Sequence, residues 1–166
     1  GRSPALDAAR GPNSGLLLQQ KAAGLPLVLH CEVADVDQDL LLQELVAESE
    51  AVAQRLLLPG VVAPLHIHLF ADAETYRQHV AERYPHFPAR RAIFVEDDGE
   101  LHVFAHWGAH VAEDLRHEAT HGLLHATTPG LPLWLDEGLA EYFEVGRAGR
   151  GLNRSHVELL RSQHAV

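Results

Sequence analysis

The sequence predicts an α+β domain in which a small mixed sheet, with a hairpin at its edge, packs against helices. Three observations predict it: strand-like alternation and helical spacing take turns over the first half of the chain, an Asp-Gly pair joins two short β-type runs, and two further helical segments follow. At 166 residues the chain has the length of one domain. We therefore expect a single domain over residues 16–166, preceded over 1–15 by a flexible lead-in that is rich in glycine, proline and polar residues.

In the first half of the chain, two predicted strands alternate with two predicted helices. Apolar and polar side chains alternate over 27–33 and again over 65–69, which is the period of a strand. Between them, apolar residues recur at helical spacing over 39–58, and a Pro-Gly pair then ends the helix. Asp72 offers its side chain as the N-cap of a second helix, which runs to residue 84.

The second half of the chain begins with a predicted hairpin. Short β-type runs over 92–96 and 100–105 are joined by a turn that contains an Asp-Gly pair. The strand over 100–105, taken as the sheet edge over the cleft, could hold a peptide that adds as a further strand. Helical spacing then predicts one helix over 111–127, with acidic residues in its first turn, and another over 132–144 that begins with a proline.

Charge and composition exclude several classes of function. The net charge of −10 disfavours nucleic acid as a partner, because phosphate backbones bind clusters of Lys and Arg. No apolar run approaches the roughly 18 to 20 residues of a membrane span. The 13 histidines stand out, because His is the commonest metal ligand. Two of them, His66 and His68, alternate with apolar residues on a predicted strand, and we expect them on the open, solvated face of the sheet.

The predicted helix over 111–127 contains the run His117-Glu118-Ala119-Thr120-His121, an HExxH motif. Histidines at i and i+4 share one helical face, with β-carbons about 5 to 6 Å apart, so both imidazoles can reach one Zn²⁺. Glu118 is rotated about 100° from His117 and points beside the ion, where its carboxylate can take a proton from water. The motif therefore predicts a catalytic zinc site with Glu118 as the general base.

A catalytic zinc site needs a third protein ligand. The metzincin pattern is excluded, because Leu124 and Thr127 stand where it has Gly and His, and the chain contains no Met. His125 continues the same helical face, but three ligands in a row along a straight helix cannot converge on one tetrahedral ion. The remaining candidates are Glu137 and Glu141, which share a face of the following helix and can fold back against the two histidines.

Together these residues resemble the gluzincin metallopeptidases, especially the peptidase MA-like families and the small minigluzincins. The likeness lies in the HExxH motif and in the run WLDEGLAEY over 134–142. It implies a zincin-like fold, one catalytic zinc ion with Glu137 as its third ligand, and hydrolysis of peptide bonds in a peptide or protein substrate. It also implies that the Glu141 carboxylate contacts a zinc-bound histidine on the side away from the ion and fixes the orientation of its ring, and that Gly138 lets the two helices approach closely. The resemblance further implies a protein that is exported from a bacterium.

Two features depart from the larger gluzincins. Fifteen residues separate His121 from Glu137, fewer than in the aminopeptidase branch, and the residues after His121 (122–166) leave the group that would stabilise the oxyanion unassigned. A second hypothesis therefore stands beside the peptidase: a catalytically weak or inactive zinc-binding module that acts in partner binding, or a fragment of a larger peptidase. The presence of Glu118 favours the enzyme, because a purely structural zinc ion has no use for a base.

Overall fold

The computed structural model describes residues 18–20, 26–34, 36–61 and 63–146. These residues form an α+β fold, which confirms the predicted class. In chain order the elements are β1 (Leu18–Gln20), β2 (Leu27–Cys31), α1 (Gln38–Leu56), β3 (Leu65–Phe70), α2 (Ala73–Arg83), β4 (Ala92–Asp97), β5 (Glu100–His106), α3 (Val111–Thr127) and α4 (Leu133–Glu144). The predicted lead-in over 1–15 lies outside the described residues. None of the described helices is both long enough and apolar enough to cross a bilayer.

A mixed five-stranded sheet, in the order β1-β2-β3-β5-β4, forms the centre of the described fold. β2, β3 and β5 run parallel, whereas β1 is antiparallel to β2 and β4 is antiparallel to β5. The β4–β5 hairpin turns at Asp98 and Gly99, which both have positive φ, as a tight hairpin turn requires. Among the described strands β4 is thus an edge strand. The prediction that the strand over 100–105 lies at the edge is wrong, because β5, which is buried along most of its length, pairs with β3 in the interior.

One face of the sheet packs against α1 and α3. Alternate residues of β2, β3 and β5 are buried there together with apolar residues from the two helices. In α3 the apolar stripe consists of Val111, Leu115, Ala119 and Leu123, and residues four apart lie on one side of a helix. His117 lies midway between two members of this stripe, about 180° around the helix from it. Burial of the stripe against the sheet therefore turns His117 towards the opposite side, where α4 lies.

The other face of the sheet is covered in part by α2. A smaller apolar cluster lies there and consists of Phe70, Tyr76, Val80, Ile93, Val95 and Phe104. His66 and His68 lie on this face and are half-buried. The prediction that they are solvated is wrong, because ring side chains of the neighbouring strands β2 and β5 pack around them.

The helix ends follow local capping interactions. Asp72 caps α2 as predicted, since its Oδ1 accepts hydrogen bonds from two backbone N–H groups of the first turn at 2.9 and 2.8 Å. α1 ends two residues before the predicted end, because Leu57 is left-handed (φ 55°) and Leu58 N–H donates to the Ala53 carbonyl at 2.9 Å. Pro132 precedes α4 as its N-cap and is not part of its first turn. The sequence did not predict β1, because three residues are too few to show a period.

Gly122 lets α3 lie close to β3. A β-carbon at this position would lie 2.8 Å from Cδ1 and 3.0 Å from Cδ2 of Leu65, a side chain with no exposed surface. We predict that Gly122→Ala lowers the free energy of unfolding, because overpacking costs about 1 to 3 kcal/mol and exceeds the gain of about 1 kcal/mol in helix propensity. Urea denaturation followed by circular dichroism measures this change. Gly138→Ala is the control: no atom lies within 4 Å of that β-carbon, so the variant should be at least as stable as the wild type. Equal stability of the two variants would contradict the prediction.

Candidate metal centre

Helices α3 and α4 lie side by side and carry the candidate site between them. Gly130 turns the chain between the two helices with a φ of 83°. Arg116 on α3 then donates a hydrogen bond from Nε to the Glu144 carbonyl oxygen at 2.6 Å, which joins the last turn of α4 to α3. Two residues before Arg116, an Asp114 carboxylate oxygen lies 2.7 Å from the Arg91 guanidinium, which connects the segment before β4 to the first turn of α3. These contacts fix α3 relative to both of its neighbours.

Three predicted ligand residues come together in this contact. His117 Nε2 lies 3.2 Å from His121 Nε2, and Glu137 Oε2 lies 3.7 and 3.8 Å from these two nitrogens. Ligand atoms that lie about 2.1 Å from one tetrahedral ion are about 3.4 Å apart, so the observed spacings are close to those that an ion requires. His117, His121 and Glu137 therefore form a group that could hold a metal ion. No other group of three His, Cys, Asp or Glu side chains in the described part of the chain has this arrangement.

Two buried carboxylates of α4 contact the histidines of this group at Nδ1, the ring nitrogen that does not face the other ligands. Glu144 Oε2 lies 2.9 Å from His117 Nδ1, and Asp136 Oδ2 lies 3.0 Å from His121 Nδ1. A carboxylate only accepts hydrogen bonds, so each Nδ1 carries the proton and donates it. Each Nε2 is then left with a lone pair, and the two lone pairs face the Glu137 oxygen.

The donor set of the centre fits a metal cation. Burial lowers the pKa of His121, which favours the neutral imidazole, although Asp136 acts in the opposite direction. Two imidazole nitrogens and one carboxylate oxygen lie within 3.8 Å of one another, and the Nδ1 atom of each imidazole already faces a second carboxylate. No hydrogen atom is left to join them once both Nδ1 atoms carry the ring protons. A divalent cation satisfies all three at once.

Glu118 lies beside this group, as the HExxH spacing predicts, and is not part of it. Its side chain is buried, with 7% of the residue exposed. Burial raises the pKa of the Glu118 carboxyl to about 7, although the charges of His117 and Arg90 and a hydrogen bond from the Phe94 backbone N–H act in the opposite direction. A buried carboxyl in this position can exchange a proton close to neutral pH.

Glu141 does not have the role that was predicted for it. It is exposed, and the two ligand histidines make their Nδ1 contacts with Asp136 and Glu144 instead. The reason is helical geometry: Glu144 follows Glu137 by seven residues, which is two turns and only about 20° away, whereas Glu141 is turned further from α3. The sequence analysis did not predict a role for Asp136 and Glu144, although the apolar pattern of α4 indicates that both are buried. They stand at the two ends of the buried stripe of α4, whose other members are Ala140 and Phe143.

Two further expectations concern residues next to the group. His125 lies outside the ligand group as predicted, and its Nε2 is 3.3 Å from Asp136 Oδ2. It therefore contacts the carboxylate that holds His121. Gly138 is exposed and a β-carbon there would meet no atom within 4 Å, so the prediction that it lets the two helices approach closely is wrong.

When the sequence was compared with known protein families and with curated proteins, no match was found. The resemblance to gluzincins stays a prediction. What the site does therefore has to be argued from its own geometry and chemistry.

The carboxylates behind the histidines should control metal affinity. We predict that Glu144→Gln and Asp136→Asn each weaken binding of Zn²⁺ by about 10- to 100-fold, because the ligand imidazoles lose the charged acceptors that orient them. Competition against a chromophoric chelator measures the dissociation constant. Glu141→Gln removes an exposed carboxylate from the same helix and should bind Zn²⁺ like the wild type. A Glu141 variant that loses as much affinity as the other two would show that only the net charge of α4 matters.

Proposed function

We propose that this protein is a zinc-dependent metallopeptidase of the gluzincin type, in which His117, His121 and Glu137 hold one zinc ion. The observation that supports it most strongly is that two imidazole nitrogens and a carboxylate oxygen lie within 3.8 Å of one another, while the other nitrogen of each imidazole lies against a buried carboxylate. Buried acceptors in such an arrangement repel one another unless a cation lies between them. Two histidines and one glutamate are also the protein ligands of a large class of catalytic zinc sites.

The ligand count favours a catalytic over a structural role. Structural zinc ions normally have four protein ligands, whereas catalytic ones have three and an open position. In the described part of the chain the group contains three. In such a set, Zn²⁺ supplies Lewis acidity, which polarises a carbonyl group and makes water a stronger acid.

Glu118 is the residue that we assign to proton transfer. It follows His117 directly on α3, and its buried carboxyl has a pKa close to neutral. A carboxylate oxygen of Glu118 takes a proton from the attacking water, and the resulting acid gives that proton to the nitrogen of the leaving amine. The one proton is thus taken up and released within each cycle, and Glu118 ends in its starting state.

The edge strand β4 supports a peptide as the substrate. It is an edge of the described sheet, and the backbone N–H of Phe94 donates a hydrogen bond to the Glu118 carboxylate. The Phe94 ring also lies against His121, with ring centroids 6.4 Å apart. An extended peptide that pairs with β4 as a further strand therefore passes directly beside the general base and the ligand group.

Substitution of Glu118 should separate metal binding from catalysis. Glu118→Gln is expected to keep one zinc ion and to lower kcat/KM on a quenched-fluorescent peptide library by about 100-fold or more, because it removes the general base and leaves the ligands in place. His117→Ala should lose both zinc and activity. Plasma emission spectrometry on the same samples measures the zinc content.

Glu141→Gln provides the control, since Glu141 is exposed on the following helix. This variant should keep both zinc and activity. A Glu118→Gln variant with wild-type turnover would refute the assignment of the base. A wild-type protein that binds zinc but neither hydrolyses peptides nor binds hydroxamates, which occupy open metal positions, would instead be a zinc-binding module without catalysis.

A further inference from the structure

Four histidines lie together on the face of the sheet that α2 partly covers. His66 and His102 are register partners on β3 and β5, and His30 and His68 are register partners on β2 and β3. Side chains two residues apart on a strand point to the same face, so the four rings form one block that runs diagonally across the three adjacent strands β2, β3 and β5. All four residues are half-buried. We call this block the histidine tetrad.

The tetrad is held together by contacts between neutral rings. His30 Nε2 lies 3.1 Å from His66 Nδ1, and His68 Nε2 lies 3.2 Å from His102 Nδ1. The His68 ring is stacked between those of His30 and Phe104, with centroid distances of 4.6 and 4.7 Å. A hydrogen bond between two imidazoles needs one nitrogen that donates and one that accepts, and a ring that takes up a proton can no longer accept. The donor ring of a pair can take up a proton on its other nitrogen and still donate, but once both rings of the pair are protonated neither can accept. Full protonation therefore breaks these contacts and places like charges beside each other.

The geometry of the tetrad differs from that of the metal centre. In each hydrogen-bonded pair the ring centroids are 5.4 Å apart, whereas in the His117–His121 pair they are 4.9 Å apart at a similar nitrogen–nitrogen distance of 3.2 Å. The larger centroid distance means that the nitrogens of the tetrad point head-on at each other, as in a linear hydrogen bond. The nitrogens of the metal centre instead converge from an angle on a common point. The ring nitrogens of the tetrad are thus arranged for hydrogen bonds with one another and not for binding a common metal ion.

Few charges near the tetrad can compensate for added protons. Glu100 Oε2 lies 3.5 Å from His102 Nε2 but is more than half exposed. On β4, Asp97 favours a charged His102, yet it forms an ion pair with Arg83 of α2 at 3.5 Å. The other titratable groups near this face are Tyr76, His79 and Glu82 of α2, its C-cap Tyr84, and His106 at the end of β5. His79 adds a fifth imidazole next to His68, and Glu82 acts on His79, so the balance favours neutral rings.

We propose that the histidine tetrad is an acid-sensitive switch, which keeps α2 on the sheet while the rings are neutral and releases it when they take up protons below about pH 6.5.

α2 is the element that the switch would move. It buries only two side chains, Tyr76 and Val80, against this face, whereas α3 buries nine residues. Elements with few buried contacts open at lower free energy than the rest of a fold. The metal centre lies on the other side of the sheet and is not required for this opening.

The direction of the pH effect follows from the burial of the rings. Burial lowers the pKa of all four histidines in the closed state, and in the case of His68 to about 2. When α2 leaves the face, His68 loses the neighbouring His79 imidazole and His102 loses the Arg83 guanidinium, both of which lower the pKa of these rings, so the two rings take up a proton more readily. The stabilisation of the closed state is therefore complete above pH 6.5 and is lost as the pH falls below it.

Hydrogen exchange measured by mass spectrometry on the full chain, with Zn²⁺ present, tests the proposal. We expect the protection factor of the peptide over 73–83 to fall by about tenfold or more between pH 7.5 and 5.5, since one linked proton already has this effect. The double variant His68→Phe/His102→Thr, which keeps a stacking ring and a β-forming residue, should lose much of this dependence. The matched control is His86→Gln/His110→Gln, which removes two exposed histidines and should behave like the wild type.

Two results would overturn the proposal. The first is protection of 73–83 that stays constant from pH 7.5 to 5.5 in the wild type, or that falls equally in the tetrad variant. The second does not depend on a variant that folds: in an NMR titration of the wild-type imidazoles, the four tetrad rings would titrate near pH 6.5 while α2 stays protected. Midpoints below 6.5 that coincide with the opening of α2 support the switch.

Discussion

The packing of α3 between the sheet and α4 is the interaction on which the candidate site depends. An apolar stripe that contains Leu115 and Ala119 is buried against the sheet, and this burial fixes the rotation of the helix. His117 and His121 are then directed at α4, because they lie on the opposite side of the same helix. Gly122 sets how deep the helix lies, since its missing side chain leaves room for Leu65. The position of the two imidazoles is thus a consequence of core packing.

The same packing concentrates acidic side chains around the two imidazole rings. Glu118, Asp136 and Glu144 are buried, and Glu137 is half-buried beside them. Burial of carboxylates is unfavourable unless they are paired or bind a cation. Two of them are paired with Nδ1 protons, and that pairing leaves both Nε2 lone pairs without a donor. A cation at the centre offsets this charge, so metal binding and the stability of the α3–α4 contact are expected to be linked.

Histidine has two different roles in this fold, and neighbouring residues decide between them. In the metal centre, carboxylates accept the Nδ1 protons of His117 and His121, so both Nε2 atoms become acceptors. In the tetrad, one nitrogen of each ring faces another imidazole, so each pair, such as His30 and His66, can share a proton between a donor and an acceptor. The first arrangement attracts a cation, and the second favours neutral rings. Neither the residue type nor the spacing along a strand or helix shows which of the two roles a histidine has.

By itself, the sequence determined what depends on local geometry. The period of the strands, the Asp-Gly turn and the capping by Asp72 placed most elements to within one or two residues, since each is a property of a short segment. The i, i+4 spacing likewise placed His117 and His121 on one face with Glu118 beside them. Only the tertiary structure decided that β4 is at the edge of the described sheet, that Glu144 takes the place predicted for Glu141, and that the tetrad is covered. These features depend on how one element is rotated and stacked against another, and that is set by the sum of all the core contacts.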